Sequence, residues 1–531
     1  MRFRASEDTG LQDSQRSHWW ATCGVLLGAL TVALNIGVLN VAIPSMMSSL
    51  STDLNRIQWV QTAYQIAQTL LMPAAGWLGA RLGTKRLFLL STLTFIGGSA
   101  LSGLAWDVSS LIVFRTIQGL GAGPITPLGM SILYSAFPPD KRGLAMGLYN
   151  FSFSFGPAIA PALGGHLIEV LSWRAIFYIN VPVGLLSIAI LMYTMPPTKD
   201  QKATPFDALG VLSMAGFLIP MLIALSEGRH YGWDSSLVMT LSVIAALSLI
   251  IFIVAELTTK TPFVNIRLYA NIPFAMGCLI AFLNTMEFRG TNFLLPIMLQ
   301  RIFHYTPFQA GLFFLPPALV MGVTSIWAGR LSDKMSPKLL LLGGLMALLY
   351  ASWQFCSLDV GVTTAMILWL IILRRAAQAF CSSPLTTATM NSVSEDQLRM
   401  ASGLFNFHRT LAGVMGVALT ATLMSYLEDV HTLRLAQRQP MYPFGTELAE
   451  EALHGLLYAE GDRGGTLTQR TALALQQRLT DVAALNGYQD IFFLFVLLAL
   501  VSVVPILLLR SVKAQTTAAE PVDKPSRPVR I

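Results

Sequence analysis

Apolar blocks of roughly 20 residues alternate with short polar connectors along the 531-residue chain. That is the length at which a helix crosses a ~30 Å hydrocarbon core. Counting the blocks predicts about fourteen spans. The polar start, residues 1–18, reads as a short solvated tail, and the block after it is too long for a signal-peptide core, so it is expected to remain as a helix. The long polar connector, 429–488, lies between the last two spans. It begins irregularly (RQPMYPFGTE) and then predicts a helix over TLTQRTALALQQRLTDVAALNG, with Thr466 or Thr468 as N-cap and Gly487 as stop. Leu475, Leu479, Val482 and Leu485 form an apolar stripe on it, which packs either on the chain's own rim or on a partner.

Composition fixes the solvent. Hydrophobic residues make up 54% of the chain and charged residues 12%, with a mean hydropathy of +0.59. A soluble protein carries about twice that charge. The four cysteines, Cys23, Cys278, Cys356 and Cys381, all fall in apolar blocks without close spacing, which argues against a disulfide framework or a metal site. The net charge of +7 reports topology more than a partner. Arg81, Lys85, Arg86, Lys141, Arg142, Arg330, Lys334, Lys338 and the basic tail fall on one side of the fourteen-span path. The short loops of the other side hold Arg56, Arg174, Arg229 and Arg301. This is the positive-inside pattern, so both termini are expected in the cytoplasm and no nucleic-acid partner is implied.

The chain also repeats itself. RTIQGLGAGP from Arg115 is answered by RAAQAFCSSP from Arg375, GLYNF (147–151) by GLFNF (403–407), and GWLGARLGTKR (76–86) more loosely by GRLSDKMSPK (329–338). Three matches in the same order indicate two related halves, a common plan for secondary transporters. The runs 208–225 and 236–255 have no counterpart. The expected organisation is a tail (1–18), a six-helix half (19–198), two inserted helices (199–258), a second six-helix half (259–510) and a tail (511–531).

With NVAIP (40–44), GWLGARLG (76–83), FRTIQGLGAGP (114–124), PALGG (161–165), WRAIFYINVPVG (173–184) and NFHRTLAG (406–413), nearly the whole chain resembles the fourteen-helix drug:proton antiporters of the major facilitator superfamily, EmrB type. The resemblance implies an all-α membrane fold of two six-helix halves plus two inserted helices, in the inner membrane of a Gram-negative bacterium. It implies proton-driven export of amphiphilic compounds, with a periplasmic membrane-fusion adaptor and an outer-membrane channel as partners. It also implies a gating cluster in the 76–86 loop: Gly76, Arg81, Gly83, Lys85 and Arg86, with Asp333 in the second half. Ala80 stands where the family has an acid, and Asn35 stands where its first helix has an aspartate. Asn cannot be protonated, so either the proton site lies elsewhere or coupling is absent.

Charge inside the spans points to the chemistry. Glu287 stands alone among the acids as deep within a span, ~21 Å along a helix that Pro273 opens. A charged group at such depth usually faces protein or a water-filled path. It is either a proton carrier or half of a static ion pair, and Arg289, two residues on, points to another face. His408 and Arg115 are the other coupling candidates. Arg289, Arg374, Arg375 and Arg409 also fall within spans, although Arg374 or Arg375 could instead reach an interface. The excess of guanidiniums predicts a cationic cavity for anionic amphiphiles. Asn35, Gln61, Gln65, Gln68, Asn150, Arg289, Arg375, Asn406 and Arg409 are its candidate lining. No nucleophile–base pair, metal-spaced ligand set or phosphate loop is present, so neither an enzyme nor an ATP-driven pump is expected, and no cofactor. GLGAG (119–123) lies in an apolar helix and reads as packing. The alternatives are a dedicated natural-product exporter, such as one for a siderophore, and a non-transporting scaffold or receptor.

Overall fold

The computed structural model describes residues 3–196, 207–259, 262–359, 362–438 and 465–509. Fourteen long helices carry the described chain. The first half comprises α1 (Phe3–Ser49), α2 (Leu54–Leu82), α3 (Thr84–Gly103), α4 (Val108–Ala136), α5 (Arg142–Val170) and α6 (Asn180–Thr194). The inserted pair is α7 (Ala208–Tyr231) and α8 (Ser236–Thr258). The second half comprises α9 (Ile272–Arg301), α10 (Leu315–Lys334), α11 (Pro337–Cys356), α12 (Thr364–Asn391), α13 (Leu398–Arg438) and α14 (Gly465–Val501). Among the described residues, nine helices are long and apolar enough to cross a membrane by length and composition. The five that fall short are α2 to α5 and α9, which carry the glutamine stripe, the glycine runs, Glu287 and Arg289.

Three helix ends differ from expectation. α1 begins at Phe3, so the backbone of the expected tail is helical. The segment 429–488 is helical at both margins: α13 runs on to Arg438, and α14 starts at Gly465 and passes through Gly487 without stopping. Thr466 and Thr468 therefore lie inside the helix rather than at its cap. A helical glycine costs about 1 kcal/mol against alanine. Here Gly487 lies over Met424 of α13, where a Cβ would meet Met424 Cε at 3.5 Å, so packing holds the helix through it. Leu485 is buried and Val482 exposed, while the side chains of Leu475 and Leu479 and all of 439–464 lie outside the described residues.

Small residues set the helix contacts. Gly156 meets Ala33 and Leu34, and Gly37 meets Ala160 and Pro157, so α1 and α5 approach to backbone distance. Gly119 and Gly123 of α4 lie on the carbonyls of Tyr64 and Gln68, and Gly121 lies on Phe95. The glycines of GLGAG thus seat α4 between α2 and α3. The two halves meet along α5–α10 and α2–α13, and α7 packs against both α2 and α13.

Candidate functional site

The end bearing the basic connectors 81–86, 141–142 and 330–338 is called the inner end. Hydrogen bonds and ion pairs between the halves gather there. Asp333 of α10 accepts from the first backbone N–H groups of α5, Gly143 at 2.6 Å and Leu144 at 3.0 Å, and so places a carboxylate on the positive end of a helix in the other half. Arg142 pairs with Glu395 at 2.8 Å, and the Tyr134 hydroxyl donates to Asn391. Gly143 and Gly329 each face the other's carbonyl so closely that a Cβ on either would collide. On α2, Gly76 lies against the Met400 backbone of α13. Gly83 links α2 to α3 at φ +79°, a conformation that favours glycine. These contacts close the inner end.

Gly329→Val is expected to hold α5 and α10 apart. Overpacking costs about 1–3 kcal/mol, so the closed form should lose population about five- to a hundredfold. Disulfide trapping of the pair Arg142→Cys and Glu395→Cys measures this directly. Undiminished trapping in the Gly329→Val background would contradict it.

The basic residues of the 76–86 loop do other work. Arg81 lies over the Trp77 ring at 5.4 Å, and the Lys85 ammonium donates to the Met192 and Met195 carbonyls at the end of α6. Lys338 does the same for Leu507 near the end of the other half. The two lysines are repeat-related C-terminal caps.

In the interior, Glu287 and Arg374 form a buried ion pair, with side chains only 3% and 5% exposed. Arg374 also donates to Thr291 at 2.7 Å and to Ser352, and Thr291 donates to Glu287 at 3.2 Å. The pair ties α9 to α12 and α11. Glu287 Oε2 and Gln378 Oε1 are left buried without a hydrogen-bond partner. A small cavity at this point is lined by Glu287, Asn292, Arg374, Arg375 and Gln378 among others. Arg375, one residue along, turns the other way, donating to Asn292 and stacking on Phe288 at 4.9 Å.

Arg289 and Arg409 are half-buried on α9 and α13 and repel one another; Arg375 and Arg289 do likewise. Arg289 lies along Gly413, one turn past Arg409. Among the described residues, no carboxylate forms an ion pair with Arg289, Arg375 or Arg409. Three guanidiniums therefore share a region with one carboxylate, and that carboxylate is already engaged.

The remaining candidates separate from this group. Arg115 is buried on α4, donating to Asn35 at 2.8 Å and Gln118 at 2.6 Å beneath the Tyr64 ring. Asn150 reaches Ser383 across the halves at 3.3 Å, and its repeat mate Asn406 reaches Met130 at 3.1 Å, so both act as ties between halves. Gln68 is buried and Gln61 and Gln65 half-buried on the α2 face that continues to Met72, where Thr410 of α13 donates. His408 bonds the Leu404 carbonyl at 2.8 Å and sits against Tyr269 in the connector before α9, away from Glu287. The four cysteines are free.

The sequence pattern of the family described as Major Facilitator Superfamily matches residues 25–417. The chain belongs to the Major Facilitator Superfamily. It is 31% identical over 480 residues to the multidrug export protein EmrB of Haemophilus influenzae, covering 89% of this chain and 92% of the relative. It is 30% identical over 479 residues to the fatty acid resistance protein FarB of Neisseria gonorrhoeae, covering 89% and 92%. The human organic anion transporter MFSD10 superposes with a TM-score of 0.60 at 15% identity, covering 91% of this chain and 99% of the other, a likeness of fold. The family's relatives are transporters, and the chain is a multi-pass membrane protein of the EmrB type. In its terms α1–α6 and α9–α14 are the two six-helix halves, and α7–α8 are the additional pair.

The sequence reading did not find the partner of Glu287. The R-x-x-Q repeat aligns Arg115 with Arg375, but the guanidinium that reaches Glu287 belongs to Arg374. A second buried acid also went unread: Glu256, at the inner end of α8, accepts from the Val264 backbone at 3.1 Å.

Proposed function

We propose that this chain exports amphiphilic anions from the cytoplasm of a Gram-negative bacterium, driven by the proton gradient. One observation carries the reading: Arg289 of α9 lies near both Arg375 of α12 and Arg409 of α13, and among the described residues none of the three forms an ion pair with a carboxylate. Arginine stays charged, so in a membrane interior these groups call for water or an anionic ligand. The relatives named for multidrug export and fatty acid resistance support efflux of such compounds.

Glu287 is the proposed proton site. Its ionised form holds α9 to α12, and a proton taken up while the inner end is closed would cancel that pair and loosen the helices. A substrate anion beside Arg375 would by repulsion favour the protonated carboxyl. Antiport therefore requires proton and substrate to occupy the site in opposite conformations.

The test is uptake into inverted membrane vesicles, with and without a pH gradient, using an amphiphilic carboxylate and a lipophilic cation side by side. Gradient-dependent uptake of the carboxylate supports the reading; preferential uptake of the cation overturns it.

Both termini are proposed to be cytoplasmic and the span 429–488 periplasmic. At 1.5 Å per residue, α13 and α14 are each roughly 55–60 Å long, well beyond a ~30 Å core. Arg301 pairs with Glu428 and His431 with Asp490 at 2.7 Å, binding α9, α13 and α14 where they extend at the outer end. That projecting pair is the proposed docking place for the periplasmic adaptor of a tripartite pump. A cysteine placed near position 460 should react with an impermeant thiol reagent in cells with a permeabilised outer membrane. Protection there, with labelling near 520, would reverse the orientation.

A further inference from the structure

Two polar clusters sit on repeat-related helices, their arginines one residue out of register, and differ by one charge. Asn35 stands nine residues before Pro44 in α1, and Glu287 stands nine residues before Pro296 in α9. Asn35 accepts from Arg115 of α4, and Glu287 accepts from Arg374 of α12. α4 and α12 are the helices that carry the R-x-x-Q repeat. In the second half a carboxylate neutralises the guanidinium.

In the first half, among the described residues, nothing does. Arg115 is 1% exposed, and its acceptors are the Asn35 amide, the Gln118 amide and the Val60 carbonyl, all neutral. The Tyr64 and Phe177 rings lie 4.5 and 5.5 Å from the guanidinium and offer only their π faces. Among the described residues, no carboxylate pairs with Arg115. A buried arginine does not shed its proton, and an uncompensated buried charge is strongly disfavoured.

The polar hydrogens left over beside it are donors. Asn35 Nδ2 and the Tyr64 oxygen are buried side by side, with no partner at full hydrogen-bond distance; where the amide leans on the Tyr64 oxygen, its second hydrogen and the Tyr64 hydroxyl hydrogen still lack an acceptor. A cation with two spare donors at its side is the recognition chemistry of a small anion. The near-complete burial of Arg115, Asn35 and Tyr64 leaves no approach for an organic carboxylate.

We propose that this cluster binds a monovalent inorganic anion, chloride under ordinary conditions, held by Arg115, the Asn35 amide and the Tyr64 hydroxyl. The anion supplies in the first half the charge that Glu287 supplies in the second. This stands independently of the transported substrate.

The test is thermal unfolding of the full-length protein in detergent, in potassium chloride, bromide or gluconate at equal ionic strength. The wild-type midpoint is expected to rise with the logarithm of chloride concentration, as for any ligand of the folded state. Asn35→Asp places a carboxylate at the site and is expected to unfold at one temperature in all three salts. A wild-type midpoint that is the same in chloride and gluconate overturns the proposal, as does an Asn35→Asp protein that keeps the full chloride response. Should Asn35→Asp not fold, anomalous scattering from bromide-soaked wild-type crystals decides. A peak beside Arg115 supports the site, and its absence there overturns it.

Discussion

Arg374→Leu is expected to destabilise the protein by about 3–5 kcal/mol, because it strands Glu287 as an unpaired buried charge. Glu287→Leu should cost a similar amount by stranding Arg374. The double variant, with both replaced by leucine, should recover most of the loss, since a buried pair often adds little over well-packed apolar side chains. Thermal unfolding of the four proteins reads this cycle, and additive losses in the double variant would show that the two side chains do not act as a pair.

The same pair decides the coupling question when Glu287 is changed more gently. Gln keeps the shape and can still accept from Arg374 and Thr291, but it cannot titrate. If Glu287 carries the proton, Glu287→Gln should abolish gradient-driven export and any substrate-induced change in proton binding by solubilised protein, while substrate still binds. A substrate-induced change in proton binding that persists in Glu287→Gln would leave the residue a structural tie. Asn35→Asp in the Glu287→Gln background then asks whether an acid in the first half restores coupling.

Hydropathy marks nine of the fourteen long helices by itself, and the polar α2 to α5 and α9 are placed as spans by block length and the internal repeat. It also located Glu287, since one carboxylate in an apolar run is conspicuous. The partner was harder to read. Arg374 and Arg375 are adjacent, and successive residues on a helix point about 100° apart, so only the rotation of α12 decides which faces α9. That rotation depends on packing against α10 and α11, which no local pattern encodes. His408 was misleading for a similar reason. Its neighbour Arg409 lies near Arg289, while His408 itself turns to Tyr269, a residue 139 positions away.

The gate divides in the same way. Gly76, Gly83 and Asp333 stand out in the sequence as a turn motif with a lone acid, and the contacts of Gly76 and Asp333 cross to the other half. Arg142–Glu395 and Tyr134–Asn391 are ordinary loop and helix-end residues until the halves close and bring them together. The Asn35 and Glu287 relation was legible in principle. Both lie nine residues before a helical proline, but the signal is too short to stand out before the two arginine contacts are known.

Arg289→Gln and Arg409→Gln are each expected to weaken binding of an amphiphilic carboxylate about ten- to a hundredfold. A hydrogen bond to a charged group contributes roughly 1.5–3 kcal/mol, and these two guanidiniums have no carboxylate partner among the described residues to share it with. Binding of a lipophilic cation should be unchanged or improved, because each substitution removes a repelling charge. Mutual repulsion between Arg289 and Arg409 adds a second expectation. Either single change relieves that strain, so the purified variants should unfold at or above the wild-type temperature even as anion binding falls. A structural arginine behaves oppositely, losing stability when removed. Parallel measurement of carboxylate affinity, cation affinity and unfolding temperature therefore separates the two roles. Equal losses for carboxylate and cation, or a fall in stability matching the fall in affinity, would show that these arginines hold the helices and do not select the substrate's charge.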